Sequence, residues 1–244
     1  MCGIIGAFSL DGRPLQIKNE FKRGLKNLSK RGPNFSDAVY LDKIFLGHTR
    51  LSIIDLSSNG TQPMWDQSKR FSLSYNGEIY NYRELRRDLL EKGYSFTSKT
   101  DTEVLLYLLI EYGTDCLKML NGFFSFCFYD KKENSIIMAR DRFGIKPLVY
   151  SEGVDTFVFG SEIKAILPMI KAKEIDFDSL YQYLQFTYVP APHSMFKNIK
   201  KLMPGHYLKI KNGVSKISRF YELNWNQEQY STKSYEDQKA ELLE

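Results

Sequence analysis

Met1-Cys-Gly-Ile-Ile-Gly-Ala-Phe8 opens the chain. Apolar and small residues begin immediately, with no basic segment before them and no long apolar stretch ending in a small-residue cleavage site, so the opening reads as a strand and not as a secretory signal. Its second residue is a cysteine. Removal of Met1 would make Cys2 the carrier of both a thiol and a free α-amine. An α-amine titrates near ~7.7–8.0, far below the ~10.4 of a lysine, so part of it is neutral at pH 7 and can take the thiol proton. Nucleophile and base would then share one residue. Taken alone, Cys2 reads first as a small apolar residue of an edge strand, and the nucleophile reading needs further residues to carry it.

Beyond that strand, short strands alternate with amphipathic helices without a repeat. Strands are predicted over residues 2–9, 38–41, 44–51, 71–75, 123–129 and 135–139, and helices over residues 17–29, 81–91, 101–112 and 177–186. Thr100 and Glu103 form a predicted capping box at the start of the third helix, and Gly113 is its stop. The mixture implies an α+β fold with mainly antiparallel sheets. Residues 1–223 are expected to form one domain. Residues 224–244 read as a polar linker and the capped start of a helix, at Ser234 and Asp237, that belongs to a further domain outside this chain.

The 34 Lys and Arg among 29 acids, a net charge of +5 over 244 residues, form no basic stripe, so neither a nucleic-acid nor a membrane partner is expected. No apolar run approaches the ~18 residues of a membrane span. Three cysteines, Cys2, Cys116 and Cys127, give neither a metal-ligand spacing nor a disulfide framework, and a reducing, cytoplasmic compartment is the default expectation.

Several further stretches, in this order, resemble the class II glutamine amidotransferases, and within them the glutamine-hydrolysing asparagine synthetases. They are the opening Met1-Cys-Gly-Ile-Ile-Gly, Arg31-Gly-Pro, Gly47-His-Thr-Arg-Leu-Ser-Ile-Ile-Asp55, Tyr75-Asn-Gly-Glu-Ile-Tyr-Asn81, Thr100-Asp-Thr-Glu103, Ala139-Arg-Asp-Arg-Phe-Gly-Ile-Lys-Pro147 and Ser161-Glu-Ile-Lys-Ala165. Tyr188-Val-Pro-Ala-Pro and Met203-Pro-Gly-His-Tyr207 are similar to the synthetase branch. The resemblance implies the four-layer α-β-β-α sandwich of N-terminal-nucleophile hydrolases. It implies that Cys2 attacks the side-chain amide of glutamine, with the Asn76 amide and the Gly77 N–H stabilising the oxyanion. It also implies that Arg50 holds the substrate carboxylate through a planar fork that lysine lacks. Asp101 would face the substrate ammonium, and Leu51, Ile53, Ile54 and Glu78 would complete the cradle. On their own these residues have plainer readings: Asn-Gly is a hairpin signal, Arg50 a surface ion-pair partner, Asp101 a helix-dipole acid.

No metal or cofactor is implied for this chain. ATP and magnesium are expected only in a synthetase domain, in cis in a longer protein, because no Ser-Gly-Gly-Leu-Asp-Ser-like loop is present. Glutamine and that domain are the expected partners, and a homodimer is admitted. Other ATP-dependent amidotransferases, sugar or phosphoribosyl amidotransferases, and a non-catalytic regulatory module remain as alternatives. Lys30-Arg31-Gly32-Pro33-Asn34 departs from the family's His-Arg-Gly-Pro-Asp. Arg140, Asp141, Arg142 and Lys146 are expected to serve structural ion pairs, Phe123 and its aromatic neighbours the core.

Overall fold

A computed structural model describes residues 1–52, 55, 57–224 and 233–243. Twelve strands and six α-helices follow in the order β1 (Gly3–Ser9), α1 (Lys18–Lys26), β2 (Phe35–Leu41), β3 (Ile44–Arg50), β4 (Met64–Trp65), β5 (Phe71–Ile79), α2 (Tyr82–Glu91), α3 (Asp101–Tyr112), β6 (Gly122–Asp130), β7 (Ser135–Arg140), β8 (Val149–Glu152), β9 (Thr156–Gly160), α4 (Ile163–Ile166), α5 (Phe177–Phe186), β10 (Lys200–Lys201), β11 (His206–Lys211), β12 (Val214–Arg219) and α6 (Tyr235–Leu243). They build two six-stranded sheets, β10-β8-β9-β1-β3-β2 and β12-β11-β7-β6-β5-β4, with every strand pair antiparallel.

Period-two alternation sorts the apolar residues of each strand between two faces. Ile4 and Phe8 of β1, with Ile44 and Leu46 of β3, meet Cys127, Tyr129, Ile136 and Met138 of the other sheet. The opposite faces take the helices. Ile5, Ala7 and Phe45 pack on Phe21 of α1 and on Ala165 and Ile166 of α4. Leu73, Phe124, Phe126 and Phe128 pack on α2 and α3. The result is the expected α+β sandwich in four layers, α-β-β-α. Helix α3 is buried along its whole first nine residues, which fits its apolar circumference.

The departures from expectation are local. The sequence splits residues 71–79 at Asn76-Gly77, whereas β5 runs unbroken through both, paired Asn76 to Ser125 and Gly77 to Phe124 of β6. Close strand approach is what requires the glycine: a Cβ at Gly77 would lie 2.4 Å from the Phe123 carbonyl oxygen. The capping box is half formed. The Thr100 hydroxyl accepts from Glu103 N–H, but the Glu103 carboxylate takes the N–H groups of Thr97 (2.9 Å) and Ser98 (2.6 Å) instead of that of Thr100, whose N–H goes to Ser98 Oγ. The ion pairs expected of Arg140 and Asp141 are replaced by backbone bonds. Arg140 donates to the carbonyls of Gly144, Lys146 and Leu202, and Asp141 accepts from the N–H groups of Phe124, Phe143, Ile145 and Lys146. Strands β8 to β12 and helix α4 have no counterpart among the predicted elements.

Candidate active site

Strand β1 is interior to its sheet, and Cys2 directly precedes it. Even-numbered Cys2 continues the Ile4 and Phe8 face toward the second sheet, while Asn76 continues the face of β5 opposite to Tyr75. The nucleophile candidate and the amide therefore meet where the ends of the two sheets face each other. Cys2, Arg50, Leu51, Asn76, Gly77, Glu78 and Asp101 all line one cavity of about 280 Å³. Ile53 and Ile54 lie outside the described residues.

The Cys2 sulfur sits half-buried, 3.4 Å from the Leu51 nitrogen, which donates to it, and 3.7 Å from the Leu51 carbonyl oxygen. The Cys2 carbonyl accepts from Arg31 Nε at 2.9 Å, and Arg31 is itself fixed by Glu162 at 2.8 Å. Gly32 beside it could not be larger, since a Cβ would come within 2.2 Å of the Thr49 backbone. The departure at Asn34 keeps a local function, because its side-chain oxygen accepts from Ser52 N–H at 3.0 Å, as an aspartate oxygen would.

Asn76 is 1% exposed, and its amide nitrogen has no hydrogen-bond partner. A buried donor left unpaired costs about 1–3 kcal/mol, so such groups are uncommon in folded proteins. A second free donor follows from strand parity. Tyr80 N–H bonds Asn121 and Lys131 N–H bonds Arg70, which sets the even positions of β5 against β6 and turns the odd N–H groups to the open edge. There Tyr75 N–H meets the Gln62 side-chain oxygen at 2.7 Å and Ile79 N–H meets Asp101 at 3.0 Å. Gly77 N–H, between them, faces the cavity. Two free donors thus line the cavity that Cys2 also lines, an arrangement with the chemistry an oxyanion would need.

Two opposite charges line the same cavity. Arg50 is 8% exposed, and its guanidinium donates to the carbonyls of Ser57 (2.9 Å) and Asp55. Gly60 makes room for it, since a Cβ there would stand 2.3 Å from Nη2. Asp101 is 4% exposed and held by the Tyr75 hydroxyl at 2.8 Å and the Ile79 N–H. Among the described residues neither forms an ion pair. Burial pushes the Asp101 carboxyl above its ordinary range, with the hydrogen bonds from Tyr75 and Ile79 opposing. A buried cation and a buried anion, both uncompensated, suit a zwitterion.

Sequence reasoning misses Arg31, Gln62, Tyr75 and Lys146 as parts of this site. Arg31, Tyr75 and Lys146 stand inside the family-like motifs, so the signal is present without a geometry to interpret it. Phe123, expected in the core, borders the cavity with the Lys146 ammonium 4.3 Å from its ring centroid. Cys116 and Cys127 are buried core residues as expected, and burial pushes the Cys116 thiol up to about 12 and Cys127 well above its ordinary value. His48 is buried with its Nε2 3.1 Å from the Tyr75 carbonyl, and burial brings its pKa down to about 3. No group of residues among those described could hold a metal ion.

A family model for the glutamine amidotransferase domain matches residues 1–221. The chain belongs to the glutamine amidotransferase family. It is 38% identical over 248 residues to asparagine synthetase [glutamine-hydrolyzing] 3 of Bacillus subtilis, covering 99% of this chain and 39% of that protein. A putative asparagine synthetase [glutamine-hydrolyzing] 2 of Methanocaldococcus jannaschii is 36% identical, covering 91% of this chain and 46% of that one. Glutamine phosphoribosylpyrophosphate amidotransferase of Bacillus subtilis shares the fold with a TM-score of 0.67 at 21% identity, over 90% of this chain and 49% of that one. This amidotransferase domain thus spans less than half the length of the curated relatives it matches. No described helix is long and apolar enough to cross a membrane.

Asp101 gives the domain a testable pH signature. A carboxyl whose pKa is raised is protonated at a higher pH than an ordinary aspartate, so attraction for a substrate ammonium is lost earlier on acidification. Asp101→Asn is expected to raise KM for glutamine about tenfold or more with a smaller change in kcat, because a buried charged hydrogen bond is removed from binding. It should also abolish the acid-side rise of KM, as measured by initial rates between pH 5 and pH 8.

Proposed function

We propose that this domain hydrolyses glutamine to glutamate and ammonia through a Cys2 thioester, and that the ammonia serves an ATP-dependent synthetase domain that amidates aspartate. The unpaired Asn76 amide beside the Cys2 sulfur is the observation that carries the reading. Glutamine enters with its α-carboxylate on Arg50 and its α-ammonium on Asp101, which sets its side-chain amide toward Cys2. Once Met1 is gone, the Cys2 amine takes the thiol proton as sulfur attacks the amide carbon. The oxyanion gathers the Asn76 Nδ2 and Gly77 N–H bonds. Collapse breaks the C–N bond, the amine proton goes to the departing nitrogen, and ammonia leaves a thioester. Water, deprotonated by the same amine, adds to the thioester carbon, and collapse returns the thiol and glutamate.

Asparagine as the final product is supported by relatives named as asparagine synthetases, which align with nearly the whole chain and are more than twice as long. Residues 1–223 form the amidotransferase unit in this reading and residues 224–244 lead out of it. The last apolar packing falls at β11 and Phe220, and α6 buries none of its residues. The protein from which Met1 has been removed, treated with a glutamine-like electrophile, is expected to carry one label, on Cys2, found by peptide mass mapping. Label on Cys116 or Cys127 instead would place the chemistry elsewhere.

A further inference from the structure

Lys146 is buried to 6% exposure, yet among the described residues it makes no ion pair. Its ammonium lies over the Phe123 ring, 4.3 Å from the centroid, and contacts the Met1 sulfur at 3.3 Å. Met1 is joined to Cys2 by one peptide bond, and all three residues line the same cavity. Both the position and the missing counter-ion ask for an explanation, since an unpaired buried cation is costly.

The surrounding charges define what the ammonium can reach. From its own segment, Asp141 is consumed by the N–H groups of Phe124, Phe143, Ile145 and Lys146. From the loop before β2, Arg31 grips the Cys2 carbonyl while pairing with Glu162, so a second cation stands on the same residue. From β5 comes Glu78, from the end of β3 Arg50, and from the start of α3 Asp101. Burial is the largest cause lowering the Lys146 pKa, followed by Arg31, with Cys2, Asp141 and Glu78 opposing.

We propose that Lys146 is a positioning residue for the Cys2 nucleophile: its ammonium, which meets Met1 in the unprocessed chain and shares the cavity with Cys2, disfavours protonation of the Cys2 α-amine once Met1 is removed and leaves that amine free to act as base at neutral pH. The proposal rests on the glutaminase reading for its catalytic meaning, but the charge effect exists without it. A cation beside an amine that would itself become a cation opposes protonation through like-charge repulsion, and charges within about 4–6 Å shift a titration by about 1–3 pH units. Arg31 acts on the opposite side of Cys2, through the carbonyl, and is neutralised by Glu162, which leaves Lys146 as the charge that sets the amine.

Two measurements on the full chain, with Met1 removal confirmed by mass, test this. In Lys146→Met, which keeps an unbranched apolar side chain and removes the charge, the acid limb of kcat/KM for glutamine should move up by about one pH unit. Lys146→Arg should keep the limb in place. Independently of glutamine, Cys2→Ala is combined with Lys146→Met, and acetylation of the terminal amine is followed by mass against pH. The double variant should need about one pH unit more alkali than Cys2→Ala alone for equal rate. A folded Lys146→Met protein with both profiles unmoved overturns the proposal, as does an equal shift in Lys146→Arg. If Lys146→Met does not fold, Lys146→Gln gives the same reading. Absence of glutaminase activity in the unmutated protein would defeat the proposed function and leave the amine measurement standing as the test of the charge effect.

Discussion

Cys2→Ala is expected to lower glutamate release from glutamine by on the order of 10⁴-fold or more, the scale on which removing a covalent nucleophile acts. Melting temperature and glutamine binding should be nearly unchanged. The sulfur is half-buried and its only hydrogen-bond contacts among the described residues are with the Leu51 backbone at 3.4 and 3.7 Å, so little packing is lost with it. In the proposed binding mode Arg50 and Asp101 remain to hold the substrate. Neither other cysteine can substitute, since both are fully buried and both thiols are pushed up by burial. A protein that retains Met1 should lose activity to a similar degree although its thiol is intact, because the Cys2 nitrogen is then an amide whose lone pair is delocalised into the carbonyl and takes no proton. Glutamate production by a coupled assay, with the first residue read by mass, checks both. Equal rates for Cys2→Ala and the unmutated chain would remove the catalytic claim.

Much of this arrangement is legible in the sequence because the site uses local signals and simple periods. The strand at residues 2–9, the capped start of α3 at Asp101 and the short apolar runs of β3 and β6 all carry pattern or capping information, so α+β with antiparallel sheets follows from the residues. Asn76-Gly77 shows where such reading stops. As a dipeptide it favours a turn, and only pairing with Ser125 and Phe124, nearly fifty residues away, keeps it extended and exposes the Gly77 N–H. Lys146 and Arg31 are unreadable for a related reason: a lone basic residue in a loop has no period, and its contact with the first residues arises across more than a hundred positions for one and about thirty for the other. Strands β8 to β12 are short or bear charged outer faces, as in the Lys209 and Lys211 positions of β11, which weakens their apolar signal.

Asn76→Ala is expected to reduce kcat by about 10²–10³-fold with KM little changed, as for removal of one preorganised oxyanion donor. The structure adds a consequence for stability. The fold already bears the cost of a buried amide nitrogen with no partner, so deleting it removes about 1–3 kcal/mol of desolvation penalty, set against the packing lost on truncation to alanine. The melting temperature should therefore fall far less than truncation of a fully buried, bonded asparagine would suggest, and it can rise. In the proposed mechanism a donor kept at a cost in the free domain is repaid only when negative charge develops at the amide oxygen of the substrate, so its loss is expected to fall on turnover and not on binding. Initial-rate kinetics and thermal melts on the same preparation separate the two. A tenfold rise in KM with kcat preserved would assign Asn76 to ground-state binding and leave the Gly77 N–H as the sole oxyanion donor in this site.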